Sequence, residues 1–392
     1  MDWLLVAIIA VIALALLFDF TNGFHDAANS VATVVATRAM PARWAPWFSA
    51  FFNFVAFFVV GTAVANTVAK VVKHDSEGVA VVFAALIAAI TWNYITWYVG
   101  MPSSSSHAII GGLVGAGLAA GGLKAINWGV VRTALIAIVA SPLVAFTVAF
   151  LAMLLIARIQ RRWRIREDAK AFKGLQLVSA AAVSFGHGAN DAQKTMGIMA
   201  ALLYAGGYIG LQADGNLEID WWIPLLAYSA IAAGTIWGGW KIIETMGLRI
   251  TSLRASSGLA ANIGAVTAIF GATGMGIPIS TTHAAASSVS GSGVASGQGI
   301  NIRVVGEMVL AWIVTIPSTV VIGWLMLELT RLPGAASFIA VGAALFVLFG
   351  WIAWAMSKAL RADDVAAEIP SVAELREPVS AVPHIEGHGS VE

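Results

Sequence analysis

The sequence predicts an all-α polytopic membrane protein: two inverted-topology repeats with broken or re-entrant helices and about 10–12 transmembrane segments. Three observations lead there. Only 11% of the 392 residues are charged and 59% are hydrophobic, whereas soluble domains carry about 25% charge. Apolar runs of spanning length recur along nearly the whole chain. Two short polar signatures inside those runs each occur twice, once per half. Acids and histidines are costly in hydrocarbon, so duplicated polar clusters there mark a site or a pathway.

The runs fall at 3–37, 46–68, 79–100, 103–122 and 127–157, then at 174–208, 222–245, 256–275, 279–297, 304–329 and 334–357. The start lacks a basic leader and a small-residue cleavage site, so the first run reads as a retained helix. Runs 3–37 and 174–208 exceed one simple span and hold the first signature, which predicts helices broken near it. Runs 103–122 and 279–297 are rich in Ser, Thr and Gly; spanning and re-entrant readings both fit them. The expected organisation is a first repeat over 1–157, a basic loop over 158–173, a second repeat over 174–358 and an acidic, disordered tail over 359–392.

Charge sets the expected orientation. Arg158, Arg161, Arg162, Arg164, Arg166, Lys170 and Lys173 make the central loop cytoplasmic, whereas Asp214, Glu218 and Asp220 lie in a loop free of Lys and Arg. Five runs precede the basic loop. The N-terminus is therefore expected outside and the tail inside the cell (plasma) membrane, an inner membrane where there are two. An odd number of crossings between copies is also how an inverted repeat arises. A net charge of +1 without a basic face excludes nucleic acid as a partner. The absence of cysteine excludes disulfides and thiolate metal sites. Most of the fifteen Trp residues flank span ends as interfacial anchors.

The first signature reads Gly23-Phe24-His25-Asp26-Ala27-Ala28-Asn29 and returns as Gly188-Ala189-Asn190-Asp191-Ala192-Gln193-Lys194. Asp19, Asp26, Asp191, Glu244 and Glu307 are the acids in or near membrane segments. Asp26 and Asp191 each follow a glycine by three positions, where an unwound helix would offer carbonyls to an ion. Each needs a cation, a proton or a basic group such as Lys194; a fixed Asp191–Lys194 pair at helical spacing is the plain structural alternative.

The second signature reads Pro102-Ser103-Ser104-Ser105-Ser106-His107-Ala108 and returns as Pro278-Ile279-Ser280-Thr281-Thr282-His283-Ala284. Proline suits a first helical turn, and Ser or Thr there place hydroxyls beside unpaired amides at the positive end of the helix dipole. Two such turns facing each other would enclose a tetrahedral oxyanion. Tight helix contacts use the same small residues, and Pro and His in register twice tip the balance toward a site. Of seven histidines, His25, His107, His187 and His283 fall in or beside the four copies, which points to a site or proton relay.

On these motifs the chain resembles the inorganic phosphate transporter (PiT) family, whose hallmark is a Gly-x-Asn-Asp motif in each half. Gly188-Ala189-Asn190-Asp191 matches it fully; Gly23-Phe24-His25-Asp26 carries His in place of Asn. Trp92-Asn93 with Gly100 to Ala108, and Gly276 to Ala284, fit as well, and the likeness to the bacterial low-affinity branch covers residues 15–357. The resemblance implies a symporter, not an enzyme, importing inorganic phosphate with protons or sodium. For the bacterial branch it implies protons and a neutral complex of phosphate with a divalent metal such as Mg2+, and no tightly bound cofactor. Ser104, Ser105, Ser106, Ser280, Thr281 and Thr282, with Asn29 and Asn190, are the expected phosphate ligands. Asp26 and Asp191 are the expected metal ligands and, with His25, His107, His187, His283 and Lys194, the expected coupling groups. Lys194 stands where the first copy has Asn29, and a fixed charge beside Asp191 disfavours sodium, so protons are the expected coupling ion. The lipid bilayer is the other expected partner, with a homodimer left open. A sodium-coupled symporter, a divalent-metal carrier and a membrane metallohydrolase are the alternatives. The paired Ser/Thr turns argue against the carrier and the symmetric residue set against the hydrolase.

Overall fold

Every predicted apolar run is helical in the computed structural model, which describes residues 2–73, 78–166 and 169–369. Among them there is no strand, only the isolated bridges Val72–Ile126 and Leu211–Leu217. α1 (Trp3–Asp26) starts on an Asp2 cap that accepts from the Leu4 and Leu5 amides, and α2 (Ala28–Ala36) continues it. α3 (Ala45–Val55) turns through 89° into α4 (Ala63–Ala69). α5 (Val79–Tyr98) and α6 (Ser105–Gly121) precede the long α7 (Trp128–Trp163).

The second half repeats the pattern. α8 (Lys170–Ala205) is followed by α9 (Trp222–Trp237), which breaks at Gly238-Gly239 into α10 (Trp240–Glu244) and a π-turn over Thr245–Arg249. α11 (Ala255–Gly274), α12 (Thr281–Ala295) and α13 (Ile302–Thr330) correspond to α5, α6 and α7. α14 (Ala335–Met356) and the short α15 (Ala362–Glu368) close the described chain. Helix packing obeys the same correspondence. α1 lies on α9 as α8 lies on α3, and α7 packs on α11 and α12 as α13 packs on α5 and α6. The last long helix of each half is thus exchanged into the other.

Contacts at the helix ends identify two opposite faces. On one, the Tyr208 hydroxyl donates to Asp2, Lys70 Nζ donates to Asn216, and Arg331 donates to the Ala119 and Ala120 carbonyls. On the other, Lys173 donates to the Arg38 carbonyl and Arg38 to the Ile369 carbonyl. The segments α1–α2, α3–α4, α7, α8, α9–α10, α13 and α14 run from face to face. The serine-rich runs do not cross. Lys73 N donates to Ala125 O at 2.8 Å and Asn127 N to Val71 O at 3.0 Å, so α5 and α6 form a hairpin that enters and leaves on one face. Asn301 N donates to Ile250 O at 2.8 Å, which closes α11 and α12 into the same hairpin on the opposite face. Both serine-rich runs are therefore re-entrant, and because α5 and α11 turn back with them the crossing number stays odd. The repeats are inverted.

Two expectations need correction. The long runs holding the first signature are not unwound: α8 is continuous, and between α1 and α2 only Ala27 intervenes, itself with helical dihedrals. The signature glycines serve close crossing instead. A Cβ on Gly23 would lie 2.2 Å from Ile231 O on α9, and one on Gly188 would lie 2.4 Å from Asn53 O on α3. The breaks fall in the next element of each repeat, α3–α4 and α9–α10. The tail reading is also revised in part. Ala362–Glu368 is a helix with Asp364 capping its start and Val365 buried, docked through Arg38; residues 370–392 lie outside the described residues.

The basic loop is mostly helix. Arg158, Arg161 and Arg162 end α7, where they complement the negative end of the dipole, and Lys170 and Lys173 begin α8. By length and apolarity alone seven helices qualify as membrane spans, among them α5, α6 and α11, which the hairpins turn back before they cross. α8 does not qualify, although it runs from face to face, because it carries the second copy of the first signature inside the protein.

Candidate functional site

The two hairpins meet tip to tip. Gly100 (φ 72°) and Gly276 (φ 67°) take left-handed conformations at matching places, which turns the chain into extended segments that end at the N-caps of α6 and α12. Ser104 caps α6 by accepting from His107 N at 3.2 Å, and Ser280 caps α12 by accepting from His283 N at 3.1 Å. Ser106 Oγ of one tip donates to Ile279 O of the other at 2.7 Å. Both helix N-termini, with Ser105, Ser106, Thr281 and Thr282, are buried at this junction.

The first signature reaches the same place from both sides. The Asn29 amide donates to Thr281 Oγ1 at 3.1 Å and to Thr282 Oγ1 at 3.2 Å, and Thr281 donates on to Asp191 Oδ2 at 3.1 Å. Lys194 Nζ lies 2.5 Å from Asp191 Oδ1 and 3.3 Å from Ile279 O. His187 Nε2 is 3.3 Å from Asp191 Oδ2, and its other ring nitrogen is 3.2 Å from Asn53 Oδ1. In the first copy, His25 Nδ1 lies 2.6 Å from Asp26 Oδ1. The ligand atoms of Asp26, His187 and Asp191 all fall within 4.8 Å of one another, near enough to share one metal ion.

Not every predicted residue takes part in the same way. Asn190 donates to Thr273 Oγ1 and Ile277 O and accepts from Ile279 N, so its amide is consumed in fastening the turn before α12. His25 does the matching job in the first repeat, reaching Thr96 Oγ1 at 3.0 Å and Ser103 Oγ at 3.4 Å beside the turn before α6. His107 and His283 face each other with ring centroids 4.5 Å apart, and His283 stacks on Trp312 at 4.0 Å. All four of their ring nitrogens lack a hydrogen-bond partner among the described residues, so no bonded path joins this pair to either aspartate.

Sequence reading missed Thr96, Thr273, Asn53 and Trp312. Asn53 carried a usable signal as a lone amide in an aromatic run; it donates to Thr235 at 2.8 Å. Gln193, inside the second copy of the first signature, accepts from Val64 N and Ala65 N and so caps α4 where the α3–α4 segment bends.

The sequence profile of the phosphate transporter family matches residues 22–323, which contain all four signature copies. The chain belongs to that family. It is 45% identical over 318 residues to a "Probable low-affinity inorganic phosphate transporter" of Rhizobium meliloti (strain 1021), covering 80% of this chain and 94% of the relative. A protein of the same description from Bacillus subtilis (strain 168) is 40% identical over 82% of this chain and 97% of its own length. Among solved structures, "The sodium-dependent phosphate transporter" superposes with a TM-score of 0.74 at 25% identity, over 84% of this chain and all of that one. Family membership agrees with the motif-based expectation, and the multi-pass helical architecture belongs with it.

Proposed function

We propose that this chain imports inorganic phosphate across the cell membrane together with protons, and that the cargo is a neutral complex of phosphate with a divalent metal. The observation that carries the proposal is the meeting of an anion-binding half and a cation-binding half at one buried point. Helix N-termini and hydroxyls of Ser104, Ser105, Ser106, Ser280, Thr281 and Thr282 supply positive dipole ends and donors for phosphate oxygens. Asp26, Asp191 and His187 supply two carboxylates and an imidazole for the metal. A divalent ion entering alone would be repelled by Lys194, which sits on Asp191. Accompanied by phosphate, it brings the anion that Lys194 then faces. Divalent ions such as Mg2+ are commonly held by one or two carboxylates plus substrate phosphate, which this donor set can provide.

Protons are favoured over sodium because Asp191 already has an ammonium partner, so a second fixed cation there gains little. The sodium-dependent neighbour is a distant relative and does not decide the coupling ion. The basic end of α7 and the start of α8 lie on the face opposite Asp2, so the positive-inside rule puts the N-terminus outside and α15 in the cytoplasm. Because the site lies where the inverted repeats meet, access alternates as one part of the repeat assembly moves against the rest.

The test is labelled phosphate uptake into proteoliposomes, with proton and sodium gradients imposed separately and Mg2+ present or omitted. Uptake driven by the proton gradient and raised by Mg2+ is expected. Uptake that follows sodium and ignores the pH gradient would overturn the coupling assignment.

A further inference from the structure

One buried acid has no role in the site described above. Asp19 lies on α1 two turns before Asp26, is fully buried, and has no hydrogen-bond partner for either carboxyl oxygen. Around it are other polar groups left equally without partners. Asn22, with both amide atoms unbonded, and Thr195 of α8, with its hydroxyl unbonded, flank the carboxyl without closing a well-formed hydrogen bond. The Tyr228 hydroxyl of α9 is unbonded as well and in electrostatic reach of Asp19. Four buried polar side chains from three helices therefore gather without satisfying one another. Each unmade bond costs about 1–3 kcal/mol, so a cluster of this kind needs an occupant.

Charge bookkeeping identifies the occupant. Among the described residues, the titratable groups in electrostatic reach of Asp19 are Asp191 and Lys194 on α8 and Tyr228 on α9. That makes two carboxyls and one ammonium. Lys194 is bonded to Asp191 at 2.5 Å and reaches Asp19 only through space, so no cation is bonded to Asp19. An isolated ionised carboxylate in such surroundings is far costlier than a neutral acid. The arrangement also breaks the repeat: the position that matches Asp19 in the second half is Ser184, whose hydroxyl donates to Ala180 O at 2.8 Å. The aspartates Asp26 and Asp191 and the Ser/Thr turns are duplicated, and this acid is single.

Taking proton-coupled phosphate transport as given, we propose that Asp19 is the carrier of the coupling proton, in a buried site shared with Asn22, Thr195 and Tyr228. The proton is held on a carboxyl oxygen of Asp19. When Lys194 leaves Asp191 for the bound phosphate, Asp191 turns to the metal and the proton stays on Asp19, so proton and cargo cross together. Once phosphate and metal have left on the cytoplasmic side, the ammonium returns to the two acids and the proton passes from Asp19 to water on that side. One lysine between two acids links cargo binding to the proton.

The test compares wild type, Asp19→Asn and Asp19→Glu in proteoliposomes. Two readouts are taken: phosphate accumulation under an imposed pH gradient, and phosphate–phosphate exchange without any gradient. The expected result is that Asp19→Asn exchanges phosphate but no longer accumulates it against its gradient, while Asp19→Glu keeps part of the proton-driven accumulation. Asp19→Asn that still accumulates phosphate in proportion to the pH gradient would overturn the inference alone. A wild type that ignores the pH gradient would overturn both the coupling assignment and the inference. Should Asp19→Asn fail to fold, infrared difference spectra of wild type and Asp19→Glu decide. A protonated-carboxyl band that shifts with the Glu substitution is expected, and the absence of any such shift overturns the assignment.

Discussion

Asp26 leans on an imidazole, with His25 Nδ1 at 2.6 Å, whereas Asp191 leans on an ammonium, with Lys194 Nζ at 2.5 Å. The two aspartates occupy the same place in their repeats. Each follows a glycine that lets α1 or α8 touch a neighbouring helix, and each sits beside a residue, His25 or Asn190, that fastens a hairpin turn. What differs is the permanence of the neutralising charge. An imidazole can meet a carboxyl as donor or acceptor, whereas an ammonium only donates and carries its charge permanently into the pair. Duplication thus supplied one frame twice, and substitution of the partner made one half-site adjustable and the other fixed.

The largest effect that separates the halves should come from removing each acid. Asp26→Asn and Asp191→Asn are both expected to reduce phosphate uptake to the level of empty vesicles with membrane insertion intact. Their stabilities should diverge. Asp191→Asn strands the Lys194 ammonium in the interior, and breaking a buried pair from one side costs about 3–5 kcal/mol. Asp26→Asn strands no ammonium and leaves His25 its bond to Thr96, so its loss should be much smaller. Thermal unfolding in detergent reads the difference directly; equal losses would mean that the two pairs are equivalent. Retained uptake in both variants would return these aspartates to a structural role.

A second variant makes the halves alike. Lys194→Asn copies the first repeat's Asn29 into the second and leaves Asp191 without its ammonium. Without added cation it should melt lower than wild type, by an amount that reflects an uncompensated buried carboxylate, about 3–5 kcal/mol at most. Added sodium should recover part of that loss, because the emptied position is a place for a small cation. Melting curves with and without sodium, in both proteins, test this. A variant as indifferent to sodium as wild type would show that Lys194 does not occupy a cation position.

Much of this was legible from residue order. Hydropathy located every long helix, because each buries or exposes an apolar stripe whatever its neighbours do. The paired signatures placed Asp26, Asp191, Asn29, Lys194 and the Ser/Thr turns in one site, since isolated polar groups in hydrocarbon must find each other. Crossing was not legible. Whether 103–122 traverses or returns depends on Lys73 meeting Ala125, and Asn301 meeting Ile250, contacts between residues that no periodicity links. The break positions were misjudged for a related reason. Gly23 and Gly188 look like points of unwinding in sequence, but the approach of Ile231 and Asn53 makes them points of contact.

Those glycines supply the third prediction. Gly23→Ala and Gly188→Ala each force a methyl into a carbonyl oxygen at 2.2 or 2.4 Å on another helix. Overpacking of this order costs about 1–3 kcal/mol. The matching geometry predicts matching losses, in contrast with the aspartates. Purified variants should show similar drops in melting temperature, and a large disparity would mean that α1–α9 and α8–α3 are not equivalent crossings.

The smallest effect belongs to the bond between the hairpin tips. Ser106 Oγ donates to Ile279 O at 2.7 Å, and the same carbonyl lies 3.3 Å from Lys194 Nζ. Ser106→Ala removes one neutral donor but leaves that carbonyl a second partner, so the stability loss should be about 0.5–1.5 kcal/mol. Transport should respond more than stability does, because Ser106 is also an expected phosphate ligand at the start of α6. A raised KM for phosphate with a nearly unchanged melting temperature is the expected pattern. The reverse pattern, a large fall in melting temperature with KM preserved, would make the hydroxyl a clamp between the tips instead of a ligand. Ser105→Ala provides the control. Its hydroxyl has no hydrogen-bond partner among the described residues, so any change in KM there reports on phosphate alone.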